Sequence, residues 1–99
     1  MTMKMATEIA TRVLAECDGG WSVHSCTVEA TYYWHDGKIL DVSFVGSLGL
    51  RDEAGKIHHF DLGDEHQRIT HYAHDGEAER RFVDMCVAQV VYHVTGGRV

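Results

Sequence analysis

Proline is absent from this chain of 99 residues. No turn is therefore set by a pyrrolidine ring, and no proline-rich linker divides the sequence, so glycine must supply the punctuation. Cysteine is scarce. Cys17, Cys26 and Cys86 are odd in number and widely spaced, a pattern that reads as reduced thiols packed as small core residues in a cytoplasmic compartment. The lack of a C-x-x-C pair removes sequence support for a zinc ribbon or a thioredoxin-type redox centre. No apolar run approaches the roughly 20 residues that span a bilayer, so no membrane contact is expected. The opening Met1-Thr2-Met3-Lys4-Met5 leads into a polar periodic segment and not into a signal-peptide core. Basic residues are outnumbered, 9 against 15 acids, for a formal charge of −6, which argues against direct binding of nucleic acid. G-x-S-x-G, Walker and Rossmann glycine patterns are missing as well.

What is present describes one globular unit. Hydrophobic residues make up 44% and charged residues 24% of the chain, ordinary values for a folded domain. Two domains of half this length would each lack a sufficient core, so residues 1–99 are expected to form a single domain. No internal repeat or low-complexity tract is seen.

Apolar residues recur at three- and four-residue steps from Thr2 to Cys17, through Met5, Ile9, Val13 and Cys17, and predict an amphipathic helix that Asp18-Gly19-Gly20 ends. Trp21 to Trp34 is rich in Val, Thr, Tyr and Trp, which suit a strand. Its even positions, His24, Cys26, Val28, Ala30, Tyr32 and Trp34, read as the buried face. His35-Asp36-Gly37 is a hairpin signal. Alternation resumes from Ile39 to Val45 with Leu40, Val42 and Phe44 on one face, and Leu48 and Leu50 keep that parity. Gly46 and Gly49 read as marks of a bulge or bend. Asp52-Glu53-Ala54-Gly55 is the next turn, and Lys56 to Leu62 a third strand with Phe60 and Leu62 inward. Arg68 to Ala73 reads either as a short fourth strand or as a loop. A last helix follows an N-cap at Asp75, runs through Phe82, Val83, Cys86, Val87, Val90 and Val94, and ends at Thr95-Gly96-Gly97. The expected fold is α+β: a two-layer domain with an antiparallel meander of three or four strands and both helices on one face. The other sheet face would carry Val23, Thr27, Thr31, Tyr33, Ile39 and Val45. The last helix is apolar over a wider arc than one sheet face needs, which places it between the sheet and the first helix or makes part of it an interface.

Charge is the most uneven feature. Residues 52–79 hold eight acids, Asp52, Glu53, Asp61, Asp64, Glu65, Asp75, Glu77 and Glu79, against Lys56 and Arg68, while the rest of the chain balances at seven of each sign. The whole formal charge thus arises in one stretch. It is either a solvated surface that keeps the chain soluble or a docking surface for a basic partner. Five of the eight histidines, His58, His59, His66, His71 and His74, fall in the same stretch. Protonating all eight would carry the formal charge from −6 to +2, so docking through the acids should weaken in mild acid.

These histidines, with Asp61, Asp64, Glu65 and Asp75, could ligate zinc or another divalent transition metal. Their spacing fits no zinc motif, H-E-x-x-H included, and exposed polar histidines are the plainer explanation. His24 and Cys26 share a predicted strand face, the arrangement of a thiol nucleophile and its base, although that face is otherwise core. Cys86 and His93 on the last helix invite the same reading and the same objection. Tyr33 and Trp34 stand next to the hairpin turn, where aromatic rings serve as interface anchors.

The function expected from these features is a non-enzymatic, acidic protein-binding module. It would need no cofactor and would dock through Asp52, Glu53, Asp61, Asp64, Glu65, Tyr33 and Trp34 on a partner's basic, nucleic-acid-binding surface. In size and acidity alone the chain resembles the small inhibitors that phages and mobile elements use against host defence, anti-CRISPR proteins among them. That resemblance implies a stoichiometric inhibitor or regulator. The alternatives are a metal-binding domain using residues 58–75, and a homodimeric structural or small-ligand-binding protein paired through the open sheet face or the last helix.

Overall fold

The computed structural model describes residues 2–17, 19–68 and 77–96, with side chains at all of these except 2, 38–41 and 64–68. Its elements run α1 (Thr2–Glu16), β1 (Ser22–His35), β2 (Lys38–Arg51), β3 (Ile57–Arg68) and α2 (Glu77–Val94). The strands form one antiparallel sheet in the order β1-β2-β3. The α+β meander expected from the hydrophobic periods is thus observed. Residues 69–76, which include the fourth-strand reading and the Asp75 cap, lie outside the described residues.

Both helices lie on one face. α1 rests on β1 and against α2, and α2 rests on β3. The core between the layers joins Met5, Ile9 and Val13 of α1 to Val28, Val42, Phe44, Leu48, Leu50 and Leu62 of the sheet and to Phe82, Val83, Cys86, Val87 and Val90 of α2. The broad apolar arc of α2 is accounted for largely by this position, since Ala78, Met85, Val91 and Val94 also pack on the core. Among the described residues, no helix is long and apolar enough to cross a membrane.

Three register shifts bend the sheet. His24 is unpaired between Val23↔Leu50 and Ser25↔Gly49, and Leu40 is unpaired between Tyr33↔Asp41 and Trp34↔Ile39. Asp64 is unpaired between Phe44↔Glu65 and Val45↔Gly63. A one-residue bulge moves every later side chain to the opposite face. Val23 accordingly packs on the core and His24 is exposed, the reverse of the simple alternation. Trp34 keeps the parity of Ala30 and Tyr32 on β1, yet it is exposed and not buried, because the strand there has passed the helices. Gly49 does stand at a bulge, opposite the Ser25 that follows the extra His24 of β1, whereas Gly46 pairs regularly with Val28 and Leu62. β3 continues six residues beyond Leu62. Its apolar alternation ends there, and a left-handed Gly63 with φ 92° precedes the Asp64 bulge.

Candidate interaction surface

The β1–β2 turn is built for a tight, strongly twisted hairpin. Asp36 and Gly37 both have positive φ, 53° and 74°, as a two-residue type I′ connection demands. The hairpin runs past the helices. α2 meets it at Tyr32, whose hydroxyl donates to Glu79 Oε2 at 3.5 Å. Burial first, and then the Glu79 carboxylate, raises the Tyr32 pKa. Beyond this point Tyr33 and Trp34 are 45% and 63% exposed, and His35 pairs with Asp36 across 3.2 Å in solvent. The chain is accordingly long, 52 × 24 × 18 Å, with a radius of gyration of 14.6 Å against about 13 Å for a compact chain of this length.

The acidic residues singled out from the sequence do not form one patch. Asp52 and Glu53 belong to the β2–β3 turn, at the far end of the sheet from the aromatic arm. Ten residues of β2 separate Asp41, opposite Tyr33, from Arg51, opposite Ser22, a span of about 33 Å. Asp52 has a structural task there. Its Oδ1 accepts the backbone N–H groups of Ala54 and Lys56, each at 2.9 Å, and its Oδ2 meets His58 Nε2 at 2.9 Å. An ionised carboxylate can only accept, so Nε2 carries the proton in that bond. The bond from His58 and those from the backbone hold the Asp52 pKa below its ordinary value. The His58 ring also stands edge-on to Trp21 at 5.2 Å. Glu53 is exposed. Asp61 is exposed midway along β3, on the helix-free face opposite Ser47. The side chains of Asp64 and Glu65 are outside the described set, but their backbone positions are fixed by register beside Phe44, near the base of the arm. Glu77 and Glu79, in the first turn of α2, join them at that end, with Glu77 accepting from Arg81 at 2.7 Å.

The helix-free sheet face is polar. Thr27 and Ser47 hydroxyls meet at 3.3 Å, and Arg51 reaches His24 Nδ1 at 3.2 Å. Val45 is the exposed apolar side chain at its centre. Among the described residues no group of three His, Cys, Asp or Glu side chains is arranged to hold a metal ion. His58 is committed to Asp52 and Trp21, and His59 is exposed on the helix-free face. The remaining candidates, His66, His71 and His74, lie outside the described side chains.

The cysteine–histidine pairs are not assembled. The bulge carries His24 to the helix-free face, while the Cys26 thiol turns toward the helices and donates to the Ala6 carbonyl at 3.4 Å. Burial raises the Cys26 pKa, which opposes the thiolate that a nucleophile requires. Cys86 is fully buried, whereas His93 is exposed beside Phe60 and Tyr92.

One feature escaped the sequence reading. A groove of about 550 Å³ runs between α1 and β1, lined by Met3, Thr7, Ala10 and Leu14 of the helix and by Val23 and Val28 of the strand. Its signal was the 4-3-4 spacing of Met3, Thr7, Ala10 and Leu14, a second seam beside the core stripe. No protein-family model, curated protein or solved structure matches the chain.

Proposed function

We propose that this chain is a non-enzymatic protein-binding module that docks on a basic partner surface with the end of the molecule carrying the aromatic arm. The observation that supports this reading is the arm itself. Tyr33 and Trp34 are exposed on a tightly turned hairpin that projects past its helices, and large aromatic rings so presented are favoured anchors for binding. Glu79 and the acids at the backbone positions of Asp64 and Glu65, at the same end, supply the complementary charge for a lysine- and arginine-rich surface, whereas Glu77 is already paired with Arg81. Asp52 drops out of the contact set, because its carboxylate closes a turn. Inhibition or regulation of the partner by occupancy is the role such a module fills.

The test is affinity purification from the native host with mass spectrometry, using the intact chain, Trp34→Ala and the double variant Asp64→Lys with Glu65→Lys. The expected partner is retained at low salt by the intact chain, lost at raised salt, and strongly reduced with either variant. Equal recovery with all three proteins removes both the arm and the charge from the interface and overturns the proposal.

A further inference from the structure

We infer that the outer edge of β1, which pairs with no further strand among the described residues, forms with the α1 above it a docking groove for one extended, uncharged peptide segment of another protein, which joins the sheet as a fourth strand. This surface is separate from the acidic aromatic end, and the inference does not rest on the reading above. The first ground is a mismatch of widths. Two helices side by side cover about 20 Å, whereas three strands at a spacing of about 4.8 Å cover only about 14 Å. With α2 over β3 and α1 over β1, the difference is shared between the two sheet edges, and a groove lies beside each: about 550 Å³ between α1 and β1, and about 350 Å³ between α2 and β3. His59, Asp61 and His93 line the β3 groove, whereas no charged or histidine side chain lines the one at β1.

The second ground is the contrast between the two sheet edges. Natural edges are guarded by charge, bulges or distorted backbone. β3 is guarded in all three ways, by Asp61, by the Asp64 bulge and by left-handed Gly63. β1 carries one formal charge, Glu29, over its 14 residues, and pairing from Ser25 to Tyr33 is regular. Between Ser25 and Thr31 its outward N–H and C=O groups meet no strand among the described residues and offer a regular template.

The third ground is the chemistry of the lining. The charged side of α1 turns toward α2, where Arg12 donates to Asp84 at 2.6 Å. The helical repeat then places Met3, Thr7, Ala10 and Leu14 on the side away from α2, and these residues line the groove. In a chain of net charge −6 this flank is close to neutral, so it complements an uncharged strand with small apolar residues at alternate positions. A second copy of this chain does not fit. Pairing two β1 strands with their helices on one face would set the α1 axes about 5 Å apart, against the 8–10 Å that packed helices need.

The experiment pans a displayed library of random eight-residue peptides on the intact chain. It then measures the best synthetic peptides against the intact chain, Thr7→Lys and Met3→Glu. Both positions are exposed, so thermal unfolding of the variants should match the parent. The expected result is enrichment of uncharged sequences with alternating apolar residues, binding at least tenfold weaker to each variant, and slowed amide hydrogen exchange between residues 25 and 31 when peptide is added. Three results would overturn the inference: enriched peptides rich in charge, binding indifferent to both variants, or light scattering that shows a dimer dispersed by Thr7→Lys.

Discussion

Phe82 of α2 occupies the space that a side chain on residue 63 would need. A Cβ built on Gly63 would collide with the Phe82 ring and stand 2.8 Å from the Phe44 carbonyl oxygen, and Phe82 and Phe44 stack with centroids 4.9 Å apart. Gly63 also has φ 92°, which costs a residue with a side chain about 1–2 kcal/mol. Gly63→Ala should therefore destabilise the fold by about 2–5 kcal/mol, strain and overpacking together. Gly55 has φ 87° but open space around it, so Gly55→Ala should cost only about 1–2 kcal/mol. Urea unfolding of the two variants checks the difference, which isolates the Phe82 contact.

The turn held by Asp52 predicts a pH dependence. The Asp52 pKa is lowered in the folded state, first by the His58 bond and then by backbone donors. Its contribution to stability is thus fully present above the ordinary carboxylate pKa of about 3.9 and is lost as pH falls from there through the lower folded value. Asp52→Asn should melt below the parent at neutral pH, and the gap should close in that acid window. A constant gap between pH 7 and pH 3 would separate the carboxylate's charge from the stability of the turn.

α1 and α2 are linked at the surface and joined in the core, and the two links should differ in strength. Arg12 and Asp84 are solvent-accessible partners, and exposed pairs contribute about 0–1 kcal/mol and less in salt. Ile9, fully buried beneath them, should cost about 2–5 kcal/mol when cut to alanine. Denaturation of Arg12→Ala and Ile9→Ala at low and high salt tests this, with only the first expected to respond to salt.

The thiols should be slow to react. Burial raises the Cys26 pKa, and Cys17 and Cys86 are buried. Since the thiolate is the reactive form, a water-soluble disulfide reagent should modify the native chain at neutral pH at least about tenfold more slowly than the urea-unfolded chain. Rapid labelling of Cys26 alone would show that this strand opens locally.

Much of the fold was readable because periodicity reports burial directly. The parity of Val42, Phe44, Leu48 and Leu50 holds along β2, and Asp36-Gly37 closes the hairpin as its chemistry requires. One error arises at a bulge: counting by twos assumes an unbroken pleat, so an extra His24 was enough to misplace Val23. Trp34 was misplaced for another reason, since alternation does not tell that the hairpin extends past the helices. The acidic stretch misled differently. Charge density along the chain says nothing about which end of a sheet a residue occupies, and β3 carries Asp61 and Glu65 steadily away from Asp52. The groove went unread because Met3, Thr7, Ala10 and Leu14 acquire meaning only once α1 is seen to overhang the sheet.

The arm also governs how the chain moves through water. A rod-like outline of 52 × 24 × 18 Å meets more friction than a sphere of equal mass. The monomer should therefore elute early from a sizing column and rotate slowly about its short axes, imitating a heavier particle. Column position alone would overstate its mass, so its stoichiometry is properly read from scattering mass.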